Sequence, residues 1–82
     1  MLKLFITDDH ELYLEGLTLL LNKQDGIRVI GSALTGEGLL QKLPELDIDV
    51  LLLDVHLPDI EEEELLKKIR SVKPQLKILY LT

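Results

Sequence analysis

Three apolar runs in this chain lead into oxygen-bearing side chains. Residues 2–6 run through Thr7 into Asp8 and Asp9, residues 50–53 into Asp54, and residues 78–81 into Thr82. If these runs are neighbouring strands, Asp8, Asp9, Asp54 and Thr82 meet at one end of a sheet. Carboxylates gathered in this way repel, and a cation relieves the repulsion. Magnesium suits the set, being a hard ion that binds through one or two carboxylates, waters and phosphate oxygens. The chain has no cysteine, and His10 and His56 are too few to build a zinc site alone. An aspartate beside such an ion is placed to accept a phosphoryl group, with the carboxylate as nucleophile and the metal neutralising charge. Each residue also has a local reading. Asp54 can be a turn residue, Asp8 or Asp9 a helix cap, and Thr82 a strand former. His10 and His56 can be solvated or stand behind the ligands, Glu61 to Glu64 can be a solvated helix start, and Tyr80 a packing residue.

Positioning these groups falls to alternating strands and helices. Residues 50–53 are an unbroken apolar run, the pattern of a strand buried on both faces of a parallel sheet. Strands are expected over 2–6, 28–33, 49–54 and 76–81, and helices over 10–22, 37–43 and 60–72. In the first helix Leu17, Leu20 and Leu21 share a face with Tyr13 and Leu14 one turn earlier, leaving Leu12 and Leu19 on greasy flanks. Asp8 or Asp9 is expected to cap this helix, and Asp25-Gly26 to stop it. Thr35-Gly36 reads as a turn, Leu39, Leu40 and Leu43 point inward, and Pro44 ends the second helix. The third helix buries Leu65, Leu66, Ile69 and Val72. Its acids come first and Lys67, Lys68 and Arg70 later, the order the helix dipole favours. The order βαβαβαβ predicts an α/β, doubly wound parallel sheet with right-handed crossovers. In such sheets ligands bind outside the carboxyl ends of the strands.

The 82 residues allow one small domain, and 46% hydrophobic content argues against disorder. The absence of cysteine fits a reducing compartment. The N-terminal apolar run is too short for a signal peptide or membrane span, so a soluble cytoplasmic protein with no membrane partner is expected. A net charge of −6 argues against nucleic-acid binding by this segment. The chain stops on an apolar strand, a poor sheet edge. Either the native polypeptide continues or the piece associates, and self-association through the fourth-strand side is expected.

Asp8-Asp9-His10 after a strand, Asp54 ending the third strand, Leu57-Pro58-Asp59 after it and Thr82 ending the fourth resemble the receiver domain of bacterial two-component response regulators. Glu15-Gly16-Leu17 and Val29-Ile30-Gly31-Ser32-Ala33 are similar to its NarL/FixJ-type subfamily. The match covers the whole chain but only the N-terminal part of a family domain. The resemblance implies a flavodoxin-like sheet in the order 2-1-3-4, with the fifth strand missing. It implies that Asp54 is the phosphoacceptor for a sensor histidine kinase, and that Mg2+ is held by Asp9, Asp54 and the backbone carbonyl of His56, with Asp8 acting through water. Thr82 would be the switch hydroxyl. Output would pass to a C-terminal DNA-binding domain absent from residues 1–82, through relief of inhibition or dimerisation, to regulate transcription. The domain would be no enzyme beyond catalysing its own phosphorylation and dephosphorylation.

Two departures stand out. The fifth-strand lysine that pairs with the phosphoryl group is missing, so this segment is not expected to phosphorylate or switch normally alone. Glu62 stands where the family usually has Gly, and Glu63 where an apolar residue is common. A degenerate interaction module without phosphoryl chemistry is the alternative. A phosphatase of the haloacid-dehalogenase-like kind is disfavoured, because Asp8-Asp9 lacks the Asp-x-Asp spacing.

Overall fold

A computed structural model describes residues 1–81. In chain order the elements are β1 (Leu2–Thr7), α1 (Glu11–Asn22), β2 (Ile27–Ala33), α2 (Gly36–Lys42), β3 (Val50–Asp54), α3 (Glu62–Val72) and β4 (Lys77–Leu81), with a short 3-10 turn over Leu43–Glu45. All strand pairs are parallel and the sheet order is β2-β1-β3-β4. This is the doubly wound α/β order expected from the resemblance. Every residue of β3 is buried. Its neighbours β1 and β4 satisfy its backbone on both edges, which an apolar run in the interior requires.

Alternation along the strands divides the interior in two. Leu51 and Leu53 join Phe5, Leu39, Leu43, Leu65 and Ile69 in the core beneath α2 and α3. Val50 and Leu52 join Leu4, Ile6 and Leu14 beneath α1. The α2/α3 side is closed, and Leu39, Leu43, Leu51, Leu53 and Ile69 are inaccessible to solvent. The α1 side is thinner. Leu14 is the one buried residue of α1, and Leu17 and Leu21 are half-buried.

Several expectations need correcting. Leu20 and Tyr13 were expected to pack inward but are 61% and 50% exposed, because α1 packs chiefly on β2 and β1 among the described residues and its outer flank stays open. Val72 is likewise 41% exposed at the end of α3. Neither Asp8 nor Asp9 caps α1; His10 occupies the cap position and its side chain makes no cap hydrogen bond. Thr35 is the N-cap of α2, its hydroxyl accepting from the Gly38 amide at 3.0 Å, so Gly36 opens the helix rather than closing a turn. α3 starts at Glu62, two residues later than expected, because Ile60 packs on the α2/α3 core and the backbone stays extended at Glu61. The expected stop after α1 is present, with Gly26 at φ 83° allowing the turn into β2.

β4 is an edge strand. Leu79 and Tyr80, on its two faces, are 59% and 46% exposed. Among the described residues no helix is long and apolar enough to cross a membrane.

Candidate acidic phosphoacceptor site

β1 and β3 end side by side, with Thr7 paired to Leu53. The Asp8 amide donates to the Ala33 carbonyl at 3.1 Å, which carries the β1–β2 pairing one residue past the strand and fixes Asp8. Asp54 closes β3 opposite Leu81 of β4. Asp8 and Asp54 are 4% and 8% exposed, so two carboxylates are held largely out of water at the same end of the sheet.

Asp8, Asp9, His10 and Asp54 each present one ligand atom, and these atoms all lie within 4.8 Å of one another. Asp54 therefore shares one pocket with Asp8 and Asp9, which lie far from it in the chain. It opens into a cleft of about 410 Å³ lined by Asp8, His10, Tyr13, Asp54, His56 and Leu81. The donor set of three carboxylates at one spot matches what a hard divalent cation takes, and the cluster is costly for the protein alone. Thr82, expected to contribute a hydroxyl, lies outside the described residues.

Each buried acid has a local partner. The Asp54 carboxylate accepts from the His56 amide at 2.9 Å, which ties Asp54 to the loop that follows it. The His56 imidazole is exposed and belongs to no ligand cluster among the described residues. The Asp8 carboxylate accepts from the His10 amide at 2.8 Å. The His10 ring also turns toward the acids, with Nδ1 2.9 Å from Asp8 Oδ1 and 3.1 Å from Asp9 Oδ1. The hydrogen bond to Asp8, then the charges of Asp9 and Asp8, hold the imidazole pKa above its ordinary 6.5. The sequence reading left His10 either solvated or standing behind the ligands; the ring stands beside the acids, and its place directly after Asp8-Asp9 was the available signal.

A second residue outside the expected set supports the loop after Asp54. Asp59 accepts from the Gly36 amide through Oδ1 and from the Glu37 amide through Oδ2, both at 2.9 Å. These are orphan donors at the N-terminus of α2. The two bonds hold the Asp59 carboxyl below its usual range. The loop from His56 to Asp59 is thereby anchored at both ends, to Asp54 and to α2. Gly36 is required for this contact, since a Cβ there would stand 2.3 Å from Ile60 Cγ2. The acids of α3 stay at its exposed first turn, where Glu63 and Glu64 approach Lys67 and Lys68 at 3.9 and 3.1 Å.

A parallel 2-1-3-4 sheet with acids converging at the ends of β1 and β3 defines a receiver, and the chain belongs to the response regulator receiver domain family, whose profile matches residues 4–82. Among known proteins it is similar to the response regulator GacA of Pseudomonas syringae pv. syringae, 39% identical over all of this chain and 38% of that protein. It is 38% identical to the transcriptional regulatory protein LnrK of Bacillus subtilis, over all of this chain and 37% of that one. In structure it resembles RcsB of Salmonella enterica serovar Typhimurium bound to promoter rprA in the presence of the phosphomimetic BeF3-. That likeness has a TM-score of 0.89 at 32% identity, over 99% of this chain and 42% of RcsB. The chain thus spans well under half the length of these relatives.

Proposed function

We propose that the chain is the N-terminal part of a phosphorylatable receiver within a longer response regulator, and that Asp54 is its phosphoacceptor. The observation that carries this reading is the meeting of Asp54 with Asp8 and Asp9 within 4.8 Å at the carboxyl end of a buried parallel strand. A sensor histidine kinase is the proposed donor. An Asp54 carboxylate oxygen attacks phosphorus, the P–N bond to the kinase histidine breaks, and the electron pair leaves on the imidazole nitrogen. Asp9, Asp54 and the His56 carbonyl would hold Mg2+, with Asp8 acting through water. The ion supplies charge neutralisation for the transferring group. The chain's own residues do the rest. β3 aims the carboxylate, and the His56 amide fixes one of its oxygens. The domain would catalyse only its own phosphorylation and dephosphorylation.

The assignment of Thr82 as the switch hydroxyl rests on its sequence position. The output we propose is control of transcription in the cytoplasm through a C-terminal DNA-binding domain; RcsB, a structural relative, was solved on promoter DNA with a phosphomimetic. The β4 side is the proposed self-association surface. Burial of even roughly a few hundred Å² of apolar surface there, at about 25 cal/mol per Å², would supply several kcal/mol of association energy.

The test is incubation of the longer regulator with acetyl phosphate and Mg2+, read by intact mass. One added phosphoryl group, lost in Asp54→Asn, supports the proposal. Absence of any adduct favours an interaction module without phosphoryl chemistry.

A further inference from the structure

Residues 55–61 join β3 to α3, and His56 at the start of this loop carries the amide bonded to the Asp54 carboxylate at 2.9 Å. The aim of that amide therefore depends on how the loop is held. Apolar packing holds its middle: Leu57 is buried, and Ile60 packs on the same core. Such packing is non-directional and sets depth more than orientation. Hydrogen bonds supply direction. Asp59 makes two of them, from its separate carboxylate oxygens to the successive amides of Gly36 and Glu37. One bond would leave a pivot, whereas two to neighbouring amides stop the side chain from turning. Among the described residues these are the only side-chain hydrogen bonds between the loop and a helix. α2 has a cap of its own, since the Thr35 hydroxyl accepts from the Gly38 amide. The joint is also close-fitting, because a Cβ on Gly36 would overlap Ile60 Cγ2.

We propose that Asp59 is a positioning residue for phosphoryl acceptance: its paired bonds to α2 hold the loop that carries both the His56 amide bonded to Asp54 and the His56 carbonyl assigned above to Mg2+. Asp59 lies outside the acidic cluster and acts through His56. The amide and the carbonyl flank one Cα, so a loop that tilts moves both together. The inference rests on the reading of Asp54 as phosphoacceptor and adds a residue that reading does not use. α2 thereby becomes part of the support of the site, although it contributes no residue to the cluster.

The experiment compares the longer regulator with its Asp59→Ala, Asp59→Asn and Thr35→Ala variants. Asparagine keeps one acceptor oxygen and points an amino group at the second amide, so it is the partial lesion if alanine weakens the fold. Thr35→Ala removes a cap bond from the same helix while leaving the loop tied, and so reports what a less stable α2 does by itself. Three quantities are read: hydrogen exchange at the His56 amide without metal, Mg2+ affinity by calorimetry, and the rate of phosphorylation by acetyl phosphate at saturating Mg2+. Asp59→Ala is expected to speed His56 exchange and to weaken Mg2+ binding about 10-fold, the low end for loss of a residue that orients a metal ligand. The transfer rate is expected to fall by a similar factor, with Asp59→Asn in between and Thr35→Ala near wild type. A wild-type transfer rate in Asp59→Ala overturns the inference. Equal changes in Asp59→Ala and Thr35→Ala overturn it as well, because Asp59 would then serve only the stability of α2. Both results leave the acceptor reading standing, since the wild type would still take a phosphoryl group that Asp54→Asn loses. A wild type that takes no phosphoryl group removes that reading and the inference together.

Discussion

The two faces of the sheet are built from the same strands and are finished to different degrees. Beneath α2 and α3 the core is closed, with Leu39, Leu43, Leu51, Leu53 and Ile69 shut off from solvent. Beneath α1 a single helix covers β1 and β2, while Leu79 of β4, paired to Leu52 of β3, is 59% exposed. The comparison separates two tasks. The closed face packs against β3 from behind and anchors the loop after Asp54 through Asp59. The open face carries the acids at its end and leaves Leu79 exposed. Stability should therefore be concentrated on one side of the sheet and interaction on the other.

Truncation across the two faces gives the largest expected contrast. Leu53→Ala removes a side chain with no solvent exposure and should cost roughly 2–5 kcal/mol in urea unfolding. Leu79→Ala should cost about 0.5 kcal/mol or less in the same experiment, yet lower the self-association seen by light scattering. Comparable losses of stability at the two positions would erase the distinction between the faces.

The Asp59 anchor is the next largest. Asp59→Ala leaves two α2 amides without their partner and should destabilise by about 1 kcal/mol, typical for a lost helix cap at an exposed site. The pH dependence has a definite sign. The folded-state pKa of Asp59 is depressed below 3.8, so its contribution is present above that value and lost as pH falls through the folded pKa. The stability gap between wild type and Asp59→Ala should therefore narrow on acidification below about pH 4. A gap unchanged through that range would mean that the carboxylate charge is irrelevant to the anchor.

The smallest effect sharpens the picture of the closed face. Thr7 is fully buried there, and its hydroxyl finds no hydrogen-bond partner among the described residues. Thr7→Val keeps the shape and removes the unsatisfied group, so unfolding experiments should find it neutral or stabilising by up to about 1 kcal/mol. A loss greater than that would show that the hydroxyl has a use.

Much of this architecture is legible in the residues. β3 is readable because a strand covered on both faces tolerates no polar position until its end, which places Asp54 at the rim. The meeting of Asp8, Asp9 and Asp54 follows once β1 and β3 are neighbours. What escapes is whatever depends on orientation or on distant partners. Asp59 caps a helix that begins 23 residues earlier in the chain, and no local pattern signals that. The His10 ring has a choice between the helix and the acids, and periodicity is silent on it. Leu20 lies on the correct helical stripe, but the stripe is wider than the part of the sheet α1 covers.

The central claim is that acids from β1 and β3 form one pocket for a divalent ion around the acceptor. Calorimetric titration of Mg2+ into the wild-type chain, Asp9→Asn and Asp54→Asn tests it most directly. The account predicts one saturable site in the wild type and loss of measurable binding in each variant. Wild-type-like binding in either variant, or no saturable site in the wild type, would contradict it.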